Sequence, residues 1–232
     1  MSETAAPRIF CAVDTPDLER AKELAAMLAQ SEVALKLGME FFNANGPQGI
    51  LEVHQSAPDL PLFVDLKYKD IPNTVAGAVR SITSKVKPAY LNVHALGGLE
   101  MMKAAKAACP AGVKLLAVTI LTSIDEDELA RTGQKGPIAE QVKRLALLTK
   151  EAGLDGVVCS AHEIELLREA CGPDFILMVP GIRPQGADHG DQKRVMTPRQ
   201  AIDLGATHLV IGRPITGAED PAKAISYILE TL

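Results

Sequence analysis

Short runs of β-branched and aliphatic residues recur along the chain, and each is followed by a longer stretch whose apolar residues return every three or four positions. The runs cover 9–13, 33–37, 62–67, 89–94, 114–119, 156–159, 175–179 and 208–211, eight in all. Between them the clearest helical face lies in 17–30, where Leu18, Ala21, Leu24, Ala25 and Leu28 share one side. Thr15-Pro16, Thr197-Pro198 and Asp220-Pro221 each put a capping oxygen before a proline at the first helical position. Strands buried on both faces read as unbroken apolar runs, and strict strand and helix alternation implies one parallel sheet covered by helices. Eight such units in 232 residues predict a single domain, 1–232, folded as an α/β (β/α)8 TIM barrel, for which about 250 residues is typical. The competing architecture is an open doubly wound sheet. The chain has no GxGxxG and no GxxxxGK[ST], so the usual nucleotide-sheet fingerprints are missing.

Composition narrows the function classes. With 24 basic against 29 acidic side chains the net charge is −5, and no block of five or more basic residues occurs. Nucleic acid and anionic membrane surfaces, which need clustered Lys and Arg, are not expected partners. Five Phe, three Tyr and no Trp leave few stacking platforms for single strands. MSETAAPRIF lacks the basic and apolar regions of a leader, and no window approaches the roughly 18 apolar residues of a membrane span. A cytoplasmic protein is expected. Cys11, Cys109, Cys159 and Cys171 form no CxxC, which reads as buried free thiols.

Polar residues at the strand ends carry the chemistry: Asp14 after the first run, Lys36 in the second, Asp65 and Lys67 in the third, His94 in the fourth. In a barrel this carboxyl end is the active face. Asp65 and Lys67 are two apart, so strand alternation points both into the barrel mouth if Phe63 points there too, while Tyr68 faces the helices and Lys69 is a solvated loop charge. A plain barrel-filling ion pair is the alternative. Two lysines and two carboxylates are expensive to bury for stability alone, because desolvation can exceed the Coulombic gain. Two Gly-Arg corners, GIRP at 181–184 and IGRPIT at 211–216, follow the seventh and eighth runs. Glycine lets backbone N–H groups approach an anion, arginine offers a fork to phosphate oxygens, and these loops are the usual phosphate site of barrels. The five histidines form neither HxH nor HExxH, so no metal is expected. His94 reads as a hydrogen-bonded core histidine, with a place lining the mouth as the alternative, and Thr119, Thr122 and Ser123 as hydroxyls for a polar ring.

DLKYKDIPNT, with LKLG upstream and GIRP, GDQKR and IGRPIT downstream, resembles the bacterial orotidine 5′-monophosphate decarboxylase family from CAVD near the start to DPAKA near the end. That resemblance implies formation of UMP from a small-molecule nucleotide by loss of carbon dioxide, in de novo pyrimidine biosynthesis, with no cofactor. It implies a charged tetrad of Lys36, Asp65, Lys67 and Asp70, with Lys67 protonating carbon 6 of the pyrimidine. Asp14 and Lys36 would hold ribose hydroxyls, and Thr122, with Ser123 beside it, would contact the base. Arg183, Gln192, Gly212 and Arg213 would grip the phosphate. Asp70, Ile71 and Thr74 would reach into the neighbouring subunit's site, so a homodimer with shared active sites is implied. The alternatives are a magnesium-dependent sugar-phosphate decarboxylase or aldolase of the same barrel type, and a non-catalytic barrel that binds a phosphate ligand.

Overall fold

A computed structural model describes residues 7–184 and 196–232. Eight strands close into a parallel barrel in sequence order, with the last pairing back to the first. They are β1 (Ile9–Val13), β2 (Val33–Gly38), β3 (Leu62–Tyr68), β4 (Tyr90–His94), β5 (Lys114–Val118), β6 (Gly156–Val158), β7 (Ile176–Val179) and β8 (His208–Ile211). No boundary departs from the apolar runs by more than one residue. The open doubly wound alternative is therefore excluded by closure itself.

Ten helices surround the barrel among the described residues: α1 (Leu18–Leu28), α2 (Met39–Ser56), α3 (Pro72–Lys85), α4 (Leu99–Ala108), α5 (Glu126–Arg131), α6 (Ile138–Glu151), α7 (Ile164–Cys171), α8 (Pro198–Asp203), α9 (Arg213–Thr216) and α10 (Pro221–Glu230). The expected face of α1 is the packed one, with Ala21, Leu24, Ala25 and Leu28 buried. Thr197 and Asp220 cap α8 and α10 ahead of a proline, as their sequences imply. The Thr15-Pro16 cap is corrected: Asp17 caps α1, accepting from the Glu19 and Arg20 N–H groups, because a carboxylate placed two residues nearer can satisfy two orphan donors. Thr15 instead accepts from the Asp17 N–H.

Two apolar layers hold the fold. The outer one packs strand side chains against helices, and all four cysteines are free thiols, with Cys11, Cys159 and Cys171 buried. The inner one fills the barrel with Phe10, Ala34, Phe63, Tyr90, Leu116 and Met178. At the bottom the Tyr90 hydroxyl lies 2.9 Å from His208 Nε2, and His208 Nδ1 lies 2.8 Å from the Pro7 carbonyl oxygen. A carbonyl only accepts, so Nδ1 carries the proton and Nε2 accepts from tyrosine. Where β6 meets β7, Gly156 is obligatory: a Cβ there would sit 2.1 Å from the Ile176 carbonyl oxygen.

Candidate active site

The barrel mouth opens over a cavity of about 610 Å³ with three unlike sectors. β1 to β3 and the turns after them supply Asp14, Lys36, Asp65 and Lys67; the ends of β5 and β6 supply an apolar wall including Val118, Ile120 and Val158; the turns after β7 and β8 supply Arg183 and Arg213. Barrel closure between β8 and β1 brings the arginine sector round to Asp14.

Phe63 lies in the inner layer, so Asp65 and Lys67 do face the mouth. The charged side chains form a chain of alternating sign. Lys36 Nζ lies 3.3 Å from Asp14 Oδ1 and 3.1 Å from Asp65 Oδ2, and Lys67 Nζ lies 2.7 Å from Asp65 Oδ1. Lys36 is only 5% exposed and Asp65 8%. Burial alone would lower the Lys36 pKa; the charges of Asp65 and Asp14 outweigh it and raise it. For Asp65, burial pushes upward, but Lys36, Lys67 and the hydrogen bonds from Lys67 and Asn92 bring it down to about 2. Room for this chain comes from Gly38, where a Cβ would sit 3.1 Å from Asp14 Oδ1 and 3.3 Å from Lys36 Nζ.

Simple alternation misses how Lys67 is held. Val64 pairs with Leu91 and Tyr68 with Val93, so four residue steps along β3 face two along β4. The excess is absorbed in a bulge, and Lys67 takes φ of 53°, the sole left-handed non-glycine residue among those described. Such a conformation costs about 1–3 kcal/mol and persists only where the surroundings over-determine it. Asn92, fully buried on β4, accepts from the Lys67 backbone N–H at 2.8 Å and donates to Asp65 Oδ1 at 2.7 Å. Sequence reasoning passed over Asn92. An uncharged polar residue in the middle of an apolar strand was the available signal.

The remaining expected residues divide. Arg183 is buried in the cavity wall and Arg213 is an exposed lining residue, with Gly212 between Arg213 and the end of β8. Thr122 lines the cavity and Ser123 does not. Gln192 lies outside the described residues. Asp70 does not join the charged chain within this subunit: it is exposed, accepts from the Ile71 N–H at 2.6 Å, and pairs with no lysine among the described residues. Its neighbours Ile71, 66% exposed, and Thr74 also face outward. His94 is corrected. It is only partly buried, and its Nδ1 is enclosed with no partner among the described residues, not hydrogen-bonded in the core. Burial, then the Lys69 and Lys67 charges, hold its pKa down.

Residues 7–228 match the family model described as "Orotidine 5'-phosphate decarboxylase / HUMPS family". The chain belongs to this family. Within it, the orotidine 5'-phosphate decarboxylase of Rhodospirillum rubrum is 51% identical over 236 residues, covering 98% of this chain and 95% of its own length. That of Moorella thermoacetica is 48% identical over 234 residues, covering 97% and 91%. Among solved structures, the orotidine 5'-phosphate decarboxylase of Lactobacillus acidophilus superposes with a TM-score of 0.83 at 39% identity, covering 97% of this chain and 98% of that one. The family membership accounts for the closed barrel and for the order of the motifs along the chain. No helix among the described residues is long and apolar enough to cross a membrane.

Proposed function

We propose that this protein converts orotidine 5′-monophosphate to UMP and carbon dioxide in pyrimidine biosynthesis. The observation that carries the reading is the charged chain Asp14, Lys36, Asp65 and Lys67, buried at Lys36 and Asp65, facing Arg183 and Arg213 across one cavity. The arginines and the Gly212 backbone suit a phosphate, Asp14 and Lys36 suit ribose hydroxyls, and Thr122 suits the edge of the base. Gln192 completes the phosphate grip in this reading.

In the reaction the bond between carbon 6 and the carboxylate breaks, carbon dioxide leaves, and the electron pair stays on carbon 6. Lys67 Nζ gives that carbon its proton and is recharged from water. Asp65 repels the substrate carboxylate, a contribution on the order of 4 kcal/mol for unit charges about 4 Å apart at an effective dielectric of 20. Enzymes lower barriers by roughly 8–23 kcal/mol, so repulsion is the smaller effect. Preorganised stabilisation of the developing carbanion by the Lys67 ammonium carries more. Asp65 is already engaged by two ammonium groups, which a divalent cation would have to displace, so the donor set favours a reaction run by side chains alone.

The outward Asp70, Ile71 and Thr74 fit a cytoplasmic homodimer in which each subunit completes its partner's site. Incubation with orotidine 5′-monophosphate after exhaustive EDTA treatment tests the reading. Loss of orotate absorbance with formation of UMP is expected; activity that appears only on adding magnesium, or nucleotide binding without turnover, overturns it. Sedimentation at micromolar concentration is expected to give a dimer.

A further inference from the structure

We infer that Asn92 is a positioning residue for the proton donor, fixing the Lys67 main chain and the Asp65 carboxylate with one side-chain amide. The inference rests on the decarboxylase reading above.

On its β5 side Asn92 pairs regularly with Leu116. On its β3 side the ladder skips it, because the register passes from Leu91 opposite Val64 to Val93 opposite Tyr68. Asn92 therefore stands opposite the bulge that contains Asp65, Leu66 and Lys67. The two ends of its amide are both used there. Lys67 N–H can only donate, so Oδ1 must face it; Nδ2 must then face Asp65, which accepts. Chemistry alone fixes the amide orientation. Asp65 Oδ1, which takes the Asn92 bond, also takes the bond from Lys67 Nζ. The result is a closed ring: amide, carboxylate, ammonium, lysine main chain, and back to the amide.

This ring explains why an otherwise unfavourable left-handed residue is the one that carries the reacting ammonium. Without the side-chain acceptor, the Lys67 N–H would face the skipped part of the ladder with no bond. Its φ of 53° would then have nothing to hold it. Leucine has the right size but neither polar end. Aspartate keeps the acceptor for Lys67 but sets a second anion against Asp65.

The test uses Asn92→Leu and Asn92→Asp, with turnover of orotidine 5′-monophosphate expressed per UMP-binding site so that misfolded protein is not counted. In Asn92→Leu, kcat per site is expected to fall about 100-fold, the scale of a small misplacement of a reacting group. KM and UMP affinity should stay near wild type, because the phosphate-side arginines are untouched. Asn92→Asp should also lose kcat. Amide hydrogen exchange in the wild-type protein needs no variant: the Lys67 amide is expected to be protected despite its place at an open mouth. Wild-type kcat per site in both variants, or rapid exchange at the Lys67 amide, overturns the inference. A wild-type protein that fails to decarboxylate overturns the functional reading itself, a distinct result from an active wild type with indifferent Asn92 variants.

Discussion

The two ends of the barrel solve the same problem, polar groups in an apolar tube, in opposite ways. At the bottom, Tyr90, His208 and the Pro7 carbonyl form a neutral relay, ringed by Phe10 in edge-on contact with both rings. Burial lowers the His208 pKa, which keeps the imidazole uncharged and the relay cheap to bury. At the mouth, four charges of alternating sign stand in a row, and the buried central pair, Lys36 and Asp65, is kept ionised by the charges beside it. A buried ion pair rarely stabilises more than well-packed apolar groups of the same volume. The bottom is thus built for stability, and the mouth is held at a cost in stability that only a reaction accounts for.

The sharpest way to break this contrast is at Lys67. Lys67→Ala is expected to lower turnover by at least the 10²- to 10⁴-fold typical of a lost proton donor, with UMP binding still measurable. Substantial residual decarboxylation would remove Lys67 from its assigned role. Lys67→Gly should be equally inactive yet more stable than Lys67→Ala by about 1 kcal/mol, because glycine adopts the left-handed conformation without strain. Next comes Asp65→Asn, which leaves Lys36 without its buried counter-charge. A loss of about 3–5 kcal/mol in urea unfolding is expected, together with loss of activity. Tyr90→Phe at the other end leaves His208 Nε2 unpaired and should cost about 1–3 kcal/mol. Its kcat should be unchanged; a large fall would show that the two ends are coupled.

The pH dependence separates the same two regions. His208 has a folded pKa below its ordinary 6.5, so the unfolded chain binds its proton first. Its contribution is complete above pH 6.5 and is lost as pH falls through the lowered folded value. Asp65, held at about 2 against an ordinary 3.8, keeps its contribution until pH falls below 3.8. The urea midpoint should therefore drop first below pH 6.5 and again below 3.8. His208→Gln should shrink the first drop to the share left by His94, whose pKa burial also holds down, and leave the second unchanged.

Much of this contrast was legible in the sequence, and the illegible part has a physical cause. Apolar runs located every strand because strands buried on both faces need no alternation to announce them. Asp65 and Lys67 were placed in the mouth by spacing. The bulge was invisible: the register between β3 and β4 depends on how both strands pair, and no residue in DLKYKD signals a positive φ. Asn92 stood out as a polar residue within an apolar strand, but its role was hidden, since that role exists only opposite the bulge. Asp70 sat in the motif but not in the charged chain, because its loop faces outward from this subunit.

The smallest expected effect tests where the charged network ends. Gly38 has φ of −106° and ψ of −166°, which alanine accepts, so Gly38→Ala adds only a methyl group against Asp14 and Lys36. The Asp14 side chain is 55% exposed and can swing toward water, whereas Lys36 is pinned by Asp65. An exposed partner of this kind contributes about 0–1 kcal/mol, so stability should change by less than about 0.5 kcal/mol. KM should rise by less than about tenfold, because the displaced carboxylate is one the ribose would meet. A stability loss comparable to that of Tyr90→Phe would mean that Asp14 belongs to the rigid interior. The mouth would then be a fully locked network of four charges, with no mobile carboxylate left to adjust to the sugar.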